Sequence, residues 1–399
     1  MTEIKYHLAE DTVTKEERYA WAEWIKSEPA PHLTMGLLVK HYEEKWSNWV
    51  GRKYSVACNS GSSANLLMAY TLLRSGQLKN KKVIVPSTAW VTSISPFMQL
   101  GFEPIMCEAD PNTWGLNPED FKSLVQKHKP GTVMMVQVLG VPNDMDFIMS
   151  LKEQYDFFLL EDACAAMGSS FKGAAVGTFG DMASVSTFYG HQFSTLEGGI
   201  VSTDDKKFYE MLLMLRSHGW VANLDPETKD RLLQKYEIED IGTNFVFCEP
   251  GFNVRLTDAA AFLGIGQLEK MDWLVQKRFE NHQLYKKILS NYFQTQEYDE
   301  GSTICSIHFC ALAKNYEERN FLLGALVNSG ISTRPFTSGN QGRQPYWFRE
   351  YGKFRKPVAD QLYECGFFLP NHPHLKIEDI EHICSVAIKA ALGYRKGGK

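Results

Sequence analysis

The chain has 399 residues, 44% of them hydrophobic and 13% aromatic, and a formal net charge of −5 spread over interspersed charges of both signs. Such a chain buries a large core, and with no basic block it offers no polyanion-binding surface, so nucleic acid is not an expected partner; a small anionic ligand is compatible. The opening MTEIKYHLAEDTV carries neither a basic nor an apolar leader pattern, and no apolar run is long enough to cross a bilayer; a cytoplasmic protein without membrane contact is expected.

In chain order, Thr14–Lys26 and Thr34–Val50 have helical spacing of their large apolar residues and read as peripheral amphipathic helices. Strand Tyr54–Cys58, the small-residue turn 59–63 and helix Ala64–Leu73 form a sharper unit. A strand that passes through such a turn into a helix N-terminus presents free backbone N–H groups and a positive dipole end, which suits a phosphate, although many Gly/Ser turns serve only to turn the chain. Alternation continues with strand Lys82–Pro86, helix Trp90–Leu100, strand Glu103–Cys107, helix Pro118–His128, strand Thr132–Val138, helix Asp144–Tyr155 and strand Phe157–Leu160, which ends in Glu161-Asp162. Short apolar strands separated by helices predict an α/β fold with a large, mostly parallel sheet. Ligands in such sheets lie beyond the carboxyl ends of the strands, where Asp162 falls; an acid there also serves as a loop cap.

Strand Met182–Thr187, a loop around His191 and a return strand Gly199–Thr203 follow, then helix Lys206–Ser217 and a charged surface excursion or lid over Asn223–Asp240. Helices Thr257–Met271 and Trp273–Phe293 lead to a boundary near 298, dividing a large unit (1–298) from a small C-terminal α/β unit (299–399). The small unit reads as strand character over Thr303–Leu312, helix Tyr316–Ser329, strand Ile331–Pro335, a loop at 337–344, helix Val358–Cys365, strand Phe367–Pro370 and helix Ile377–Leu392. Eight cysteines without any CxxC or CxC pair, mostly in apolar segments, read as reduced buried thiols, with no zinc or iron–sulfur spacing. His191 alone is compatible with a satisfied structural histidine.

Its company changes that. NSGSSANLL, LLEDACAAMGS, SVSTFYGHQFSTLEGGIVSTDD, LRSHGW and PGFNVRL occur in the order seen in the DegT/DnrJ group of sugar aminotransferases, over about residues 5–390. The chain resembles that family, which implies an aspartate aminotransferase-like (fold-type I) architecture and pyridoxal phosphate as cofactor. In that group the stretch typically looks like SFSFHATKNLTTGEGG, and laid against Ser184–Gly199 it puts the cofactor-anchoring lysine at His191; the nearest lysines along the chain are Lys172 and Lys206. A lysine amine condenses with the cofactor aldehyde, whereas imidazole only moves protons, with a reference pKa of about 6.5 against about 10.4 for lysine. Histidine at this place resembles the sugar 3-dehydratases that make 3,6-dideoxyhexoses. It implies a cofactor held non-covalently, as pyridoxamine 5'-phosphate, and His191 as the catalytic base.

The resemblance implies further roles. Asp162 pairs with the pyridine nitrogen, Trp90 stacks on the ring, Gly61, Ser62 and Ser186 hold the phosphate, and Asn253 reaches that phosphate from a neighbouring subunit, so a homodimer with shared sites is expected. His218, Arg255, Arg334 and Arg343 are candidates for substrate contacts. The position three residues after Asp162, often Glu, Gln or His in similar enzymes, is Ala165. The implied reaction is removal of the C3 hydroxyl from a nucleotide-linked 4-keto-6-deoxy sugar, GDP-4-keto-6-deoxy-D-mannose being the expected one. L-glutamate regenerates the amine, ammonia is released, and no reductase is needed. The clustered cysteines of an iron–sulfur-dependent type are missing around 220–232. A nucleotide-sugar aminotransferase with an atypical base and a non-catalytic cofactor-binding regulator are the alternatives, and the loops at 223–247 and 337–346 are the expected readers of the nucleotide.

Overall fold

The protein was analysed as a computed structural model, which describes residues 3–238, 245–336 and 339–397. Seven strands form the main sheet: β1 Tyr54–Cys58, β2 Lys82–Pro86, β3 Glu103–Cys107, β4 Thr132–Val136, β5 Phe158–Asp162, β8 Met182–Ser186 and β9 Gly199–Thr203, in the order β1-β9-β8-β5-β4-β2-β3. A two-stranded ribbon, β6 Ser170–Phe171 with β7 Ala174–Ala175, lies between β5 and β8 in the chain. Only β9 runs against its neighbours, pairing antiparallel with both β1 and β8. A second sheet of three antiparallel strands, β10 Gln294–Thr295, β11 His308–Leu312 and β12 Gly366–Pro370, carries the C-terminal helices.

Most apolar residues of the main strands are buried, and they lie on both faces of the sheet. Side chains alternate across a strand, so Val83, Val85, Met134, Val136 and Leu160 enter one core while Ile84, Val133, Met135 and Leu159 enter another. The same alternation separates the two acids that end β5. Glu161, fully buried, accepts from the backbone N–H groups of Phe179 (2.8 Å), Gly180 (2.6 Å) and Gly177 (3.0 Å) and so fixes the turn before β8. Asp162 points to the opposite side, at the carboxyl end of the sheet.

Most element bounds agree with the sequence pattern to within a few residues, and the differences have local causes. The helix after β1 begins at Gly61, three residues earlier than expected, because the Ser60 hydroxyl accepts from Ser63 N–H at 3.1 Å and caps it. The helix expected over 90–100 is broken into a 3₁₀ turn, Val91–Ser93, and a short helix, Ser95–Gln99, with Pro96 in its first turn. Within the expected polar excursion at 223–240 lies a helix, Pro226–Lys235, started by the Asp225 cap on Thr228 N–H (3.0 Å) and a proline in its first turn. Ile331–Pro335 is extended but is not a regular strand: Ser332 N–H donates to Tyr6 O (2.8 Å) while Arg334 O accepts from Phe368 N–H (3.0 Å), so its partners lie on two different segments. Parts of the expected nucleotide-reading loops, 239–244 and 337–338, lie outside the described residues. Among the described residues, no helix is long and apolar enough to cross a membrane.

Candidate active site

A cavity of about 610 Å³ opens at the carboxyl ends of the main sheet and is closed on its far side by β11, Phe368 and the N-terminal residues Leu8 and Ala9. Gly61, Ser62, Trp90, Asp162, Ser186, His191 and Arg334 all line it. The structure therefore brings together seven sequence-designated residues from six separate segments.

Asp162 is 5% exposed and its carboxylate is held from three directions. Asn65 Nδ2 (2.8 Å) and Ser93 Oγ (2.7 Å) donate to Oδ2, and Cys164 N–H donates to Oδ1 at 3.0 Å. Ser184 Oγ in turn donates to Asn65 Oδ1 at 2.6 Å, which turns the amide so that its N–H₂ faces the aspartate. The sequence reading missed Asn65 and Ser93. Asn65 did carry a signal, as the lone amide in the apolar helix segment ANLLMAY.

At the other end of the cavity, the helix Gly61–Arg74 points its N-terminus at Ser186. A Cβ at Gly61 would lie 2.6 Å from Ser186 Cβ, and one at Gly199 would lie 2.3 Å from Ser60 O. Both glycines permit a close approach of the backbone that leaves room for an anion over the helix N-terminus. Trp90, 56% exposed, offers an open indole face at the cavity wall. Cys164 also lines the cavity, but burial, reinforced by Asp162, pushes its thiol well up, so it stays protonated.

His191 sits on a loop closed by Thr187 N–H to Gly198 O (2.9 Å) and Thr195 N–H to Thr187 O (2.9 Å). Its Nδ1 lies 2.7 Å from Cys164 O. A carbonyl only accepts, so Nδ1 carries the proton and Nε2 keeps its lone pair for the cavity. Desolvation lowers the imidazole to about 4, against the raising effects of the Cys164 carbonyl and Asp162 and with further lowering by Arg278 and Arg334. The ring is therefore neutral throughout the neutral pH range.

Three other histidines share this condition: burial lowers His282 and His372 to about 3 and His308 well below its ordinary value. The unfolded chain binds these protons near about pH 6.5 and the folded chain refuses them, so their contribution to stability is full above that pH and declines as pH falls, toward about 4 for His191 and toward about 3 for His282 and His372. Each such histidine contributes a slope of up to about 1.4 kcal/mol per pH unit in that window. The urea midpoint is expected to drop clearly between pH 7 and pH 5; an unchanged midpoint would contradict neutral burial.

Arg334 donates to His308 Nε2 at 3.2 Å and stacks 5.3 Å over the Phe368 ring, with no carboxylate partner among the described residues. Arg343 is different. It is engaged by Glu364 (2.6 Å) and Asp360 (3.3 Å) and does not line this cavity. Asn253, His218 and Arg255 form a separate group outside the cavity of their own chain, with Arg255 Nη1 donating to Ser217 Oγ (3.0 Å) and lying 3.3 Å from His218 Nε2. Ala165 lines the cavity and brings no polar atom to it.

Residues 13–387 match the DegT/DnrJ/EryC1/StrS aminotransferase family. The chain belongs to this family. Among family relatives, it is 33% identical over 395 residues to the GDP-4-keto-6-deoxy-D-mannose 3-dehydratase of Yersinia pseudotuberculosis, covering 97% of this chain and 99% of the relative. Among solved structures, a GDP-4-keto-6-deoxymannose-3-dehydratase variant with bound GDP-perosamine superimposes with a TM-score of 0.86 at 30% identity, covering 96% of this chain and all of the other. A GDP-4-keto-6-deoxymannose-3-dehydratase with a trapped PLP-glutamate geminal diamine gives a TM-score of 0.84 at 29% identity, again covering 96% of this chain and all of the other. The mostly parallel sheet expected from the strand and helix order, and the aminotransferase-like architecture implied by the family resemblance, are thus the observed ones. The cavity of this family member also fits a pyridoxal phosphate-type cofactor: a buried aspartate at one end, an anion cradle at the other and an open indole between them.

Proposed function

We propose that this protein is a C3 dehydratase acting on a nucleotide-linked 4-keto-6-deoxy sugar, GDP-4-keto-6-deoxy-D-mannose, with L-glutamate as the source of the amino group and reducing equivalents. The observation that carries this reading is the His191 imidazole, its Nδ1 held 2.7 Å from Cys164 O, in a cavity among whose lining residues there is no lysine. Lys172 and Lys206 are engaged elsewhere, with Asp146 (2.7 Å) and with Glu210 (3.7 Å). Support also comes from relatives whose names or bound molecules include the GDP sugar, PLP and glutamate.

Bound as pyridoxamine 5'-phosphate without a covalent link, the cofactor supplies the amine that meets the C4 ketone and the electron sink that lets the C3–O bond break. Asp162 keeps a proton on the pyridine nitrogen, oriented by Asn65 and Ser93. Gly61, Ser62 and Ser186 would hold the phosphate, and the open indole of Trp90 would stack on the ring. His191 takes a proton at Nε2, with Cys164 O holding the N–H at Nδ1 and stabilising the charge that appears on the ring. Arg334 meets an anionic group of the substrates. The overall change balances: the sugar loses the C3 oxygen, glutamate becomes 2-oxoglutarate, and ammonia leaves, without an external reductant. Asn253, exposed in the single chain, is assigned to the partner subunit's phosphate cradle in a homodimer. Eight free thiols suit the reducing cytoplasm as the site of this reaction.

The test uses purified protein under anaerobic conditions with pyridoxal phosphate, L-glutamate and the GDP-linked keto sugar, and no reductase. Equal yields of 2-oxoglutarate, ammonia and a 3-deoxy sugar are expected. An amino sugar formed in place of ammonia would make the protein an aminotransferase, and the absence of 2-oxoglutarate would remove the enzymatic reading.

A further inference from the structure

Arg278 lies on the helix Met271–Leu289, is 3% exposed, and takes no part in the chemistry described above. Its guanidinium donates only to carbonyl oxygens. Nη2 reaches His191 O at 3.3 Å, while Nη1 reaches Ser306 O (3.3 Å), Ile307 O (3.4 Å) and Asn371 O. Among the described residues no carboxylate pairs with it, and Nε has no partner. A buried guanidinium without a counter-ion is costly unless its fork is fully used, so its placement calls for a reason.

The carbonyls it joins belong to three segments: the loop that carries the imidazole, the approach to β11 and the turn after β12. Neighbouring contacts reinforce the same junction. Gln192 Nε2 donates to Cys305 O (2.8 Å), and Asn371 Nδ2 donates to Ser306 Oγ (2.7 Å). We propose that Arg278 is a positioning residue for His191, a buried fork that locks the carbonyl of the imidazole-bearing loop onto the backbone of the small sheet and confronts the ring with an unneutralised positive charge. The inference rests on His191 acting as the base, since a base must stay unprotonated and pointed at its proton.

The other groups facing the ring are known. Asp162 and Cys164 come from the end of β5, Arg334 from the 331–335 segment, His308 from β11, and Tyr189 and Glu197 from the loop itself. Asp162 favours a proton on the ring, and Arg278 and Arg334 oppose it. Removing the Arg278 charge therefore leaves desolvation and Arg334 to oppose the proton, one opposing charge fewer than in the parent, and the ring becomes easier to protonate.

Arg278→Met removes charge and fork together, whereas Arg278→Lys keeps the charge and loses the fork. Ring ¹⁵N NMR titration of the full chain without cofactor, with the His191 signal identified by its loss in His191→Asn, reads the imidazole directly. The Met variant is expected to titrate about one pH unit higher than the parent, and the Lys variant close to the parent. In the cofactor-loaded enzyme the Met variant is expected to move the acid limb of kcat in the same direction. The Lys variant should lower kcat while leaving that limb in place. Coincident titrations of parent and Met variant would overturn the proposal. Should the Met variant fail to fold, Arg278→Gln, which retains hydrogen-bond donors to the carbonyls, carries the same comparison. The ligand-free titration stands apart from the reaction: turnover by a His191 variant would remove the base reading while leaving the effect of Arg278 on the ring intact.

Discussion

Replacing His191 with Ala is expected to lower formation of the 3-deoxy sugar by about 10²–10⁴-fold, the usual contribution of a positioned acid–base group. The cofactor should still bind. Asp162 is held by Asn65, Ser93 and Cys164 N–H, and the Gly61 cradle is set by the Ser60 cap and by Ser186, none of which involves the imidazole. Two nearby candidates are engaged otherwise: Lys172 is tied to Asp146 at the surface, and the Cys164 thiol is held protonated by burial and by Asp162. Single-turnover assays of sugar product, alongside cofactor binding followed by absorbance, separate the two effects. Full turnover by the variant would end the assignment of His191 as base.

Asp162→Asn is the second large effect, and its cause is different. The aspartate accepts from three donors, and an amide at the same place must turn its own N–H₂ toward Asn65 and Ser93 or toward Cys164 N–H. One donor is then left facing another, at a cost of about 1–3 kcal/mol in this buried setting. The larger loss is the negative charge that holds the proton on the pyridine nitrogen. We expect 2-oxoglutarate formation from glutamate to fall by at least about 10²-fold, the scale of losing one preorganised electrostatic partner. The half-reaction with glutamate tests this without the sugar. An unimpaired half-reaction would show that the ring does not depend on Asp162.

The elements around the site were legible to different degrees. Strands β1, β2, β3 and β9 were readable because each is a short, largely buried run centred on apolar residues and bounded by turn residues. The helix Pro226–Lys235 was obscured by its charge, although Asp225 and Pro226 are an ordinary helix start. The segment at 331–335 looked like a strand because it is extended and apolar at Ile331, yet its hydrogen bonds are divided between Tyr6 and Phe368. The pairing of Arg343 with Asp360 and Glu364 was not legible, because those acids lie 17 and 21 positions away along the chain.

By itself the sequence determined the alternation of strands and helices, the family motifs and the presence of histidine where similar chains carry lysine. Those are properties of local pattern and residue type. Only the tertiary structure decided which nitrogen of His191 carries the proton, since Cys164 lies 27 positions away along the chain. The same holds for the orientation of Asp162 by Asn65, 97 positions apart, and for the anchoring of His191 O by Arg278, 87 positions apart. Hydrogen-bond geometry and desolvation arise from segments that meet only when the chain has folded into its tertiary structure, and no local pattern encodes which segments those are.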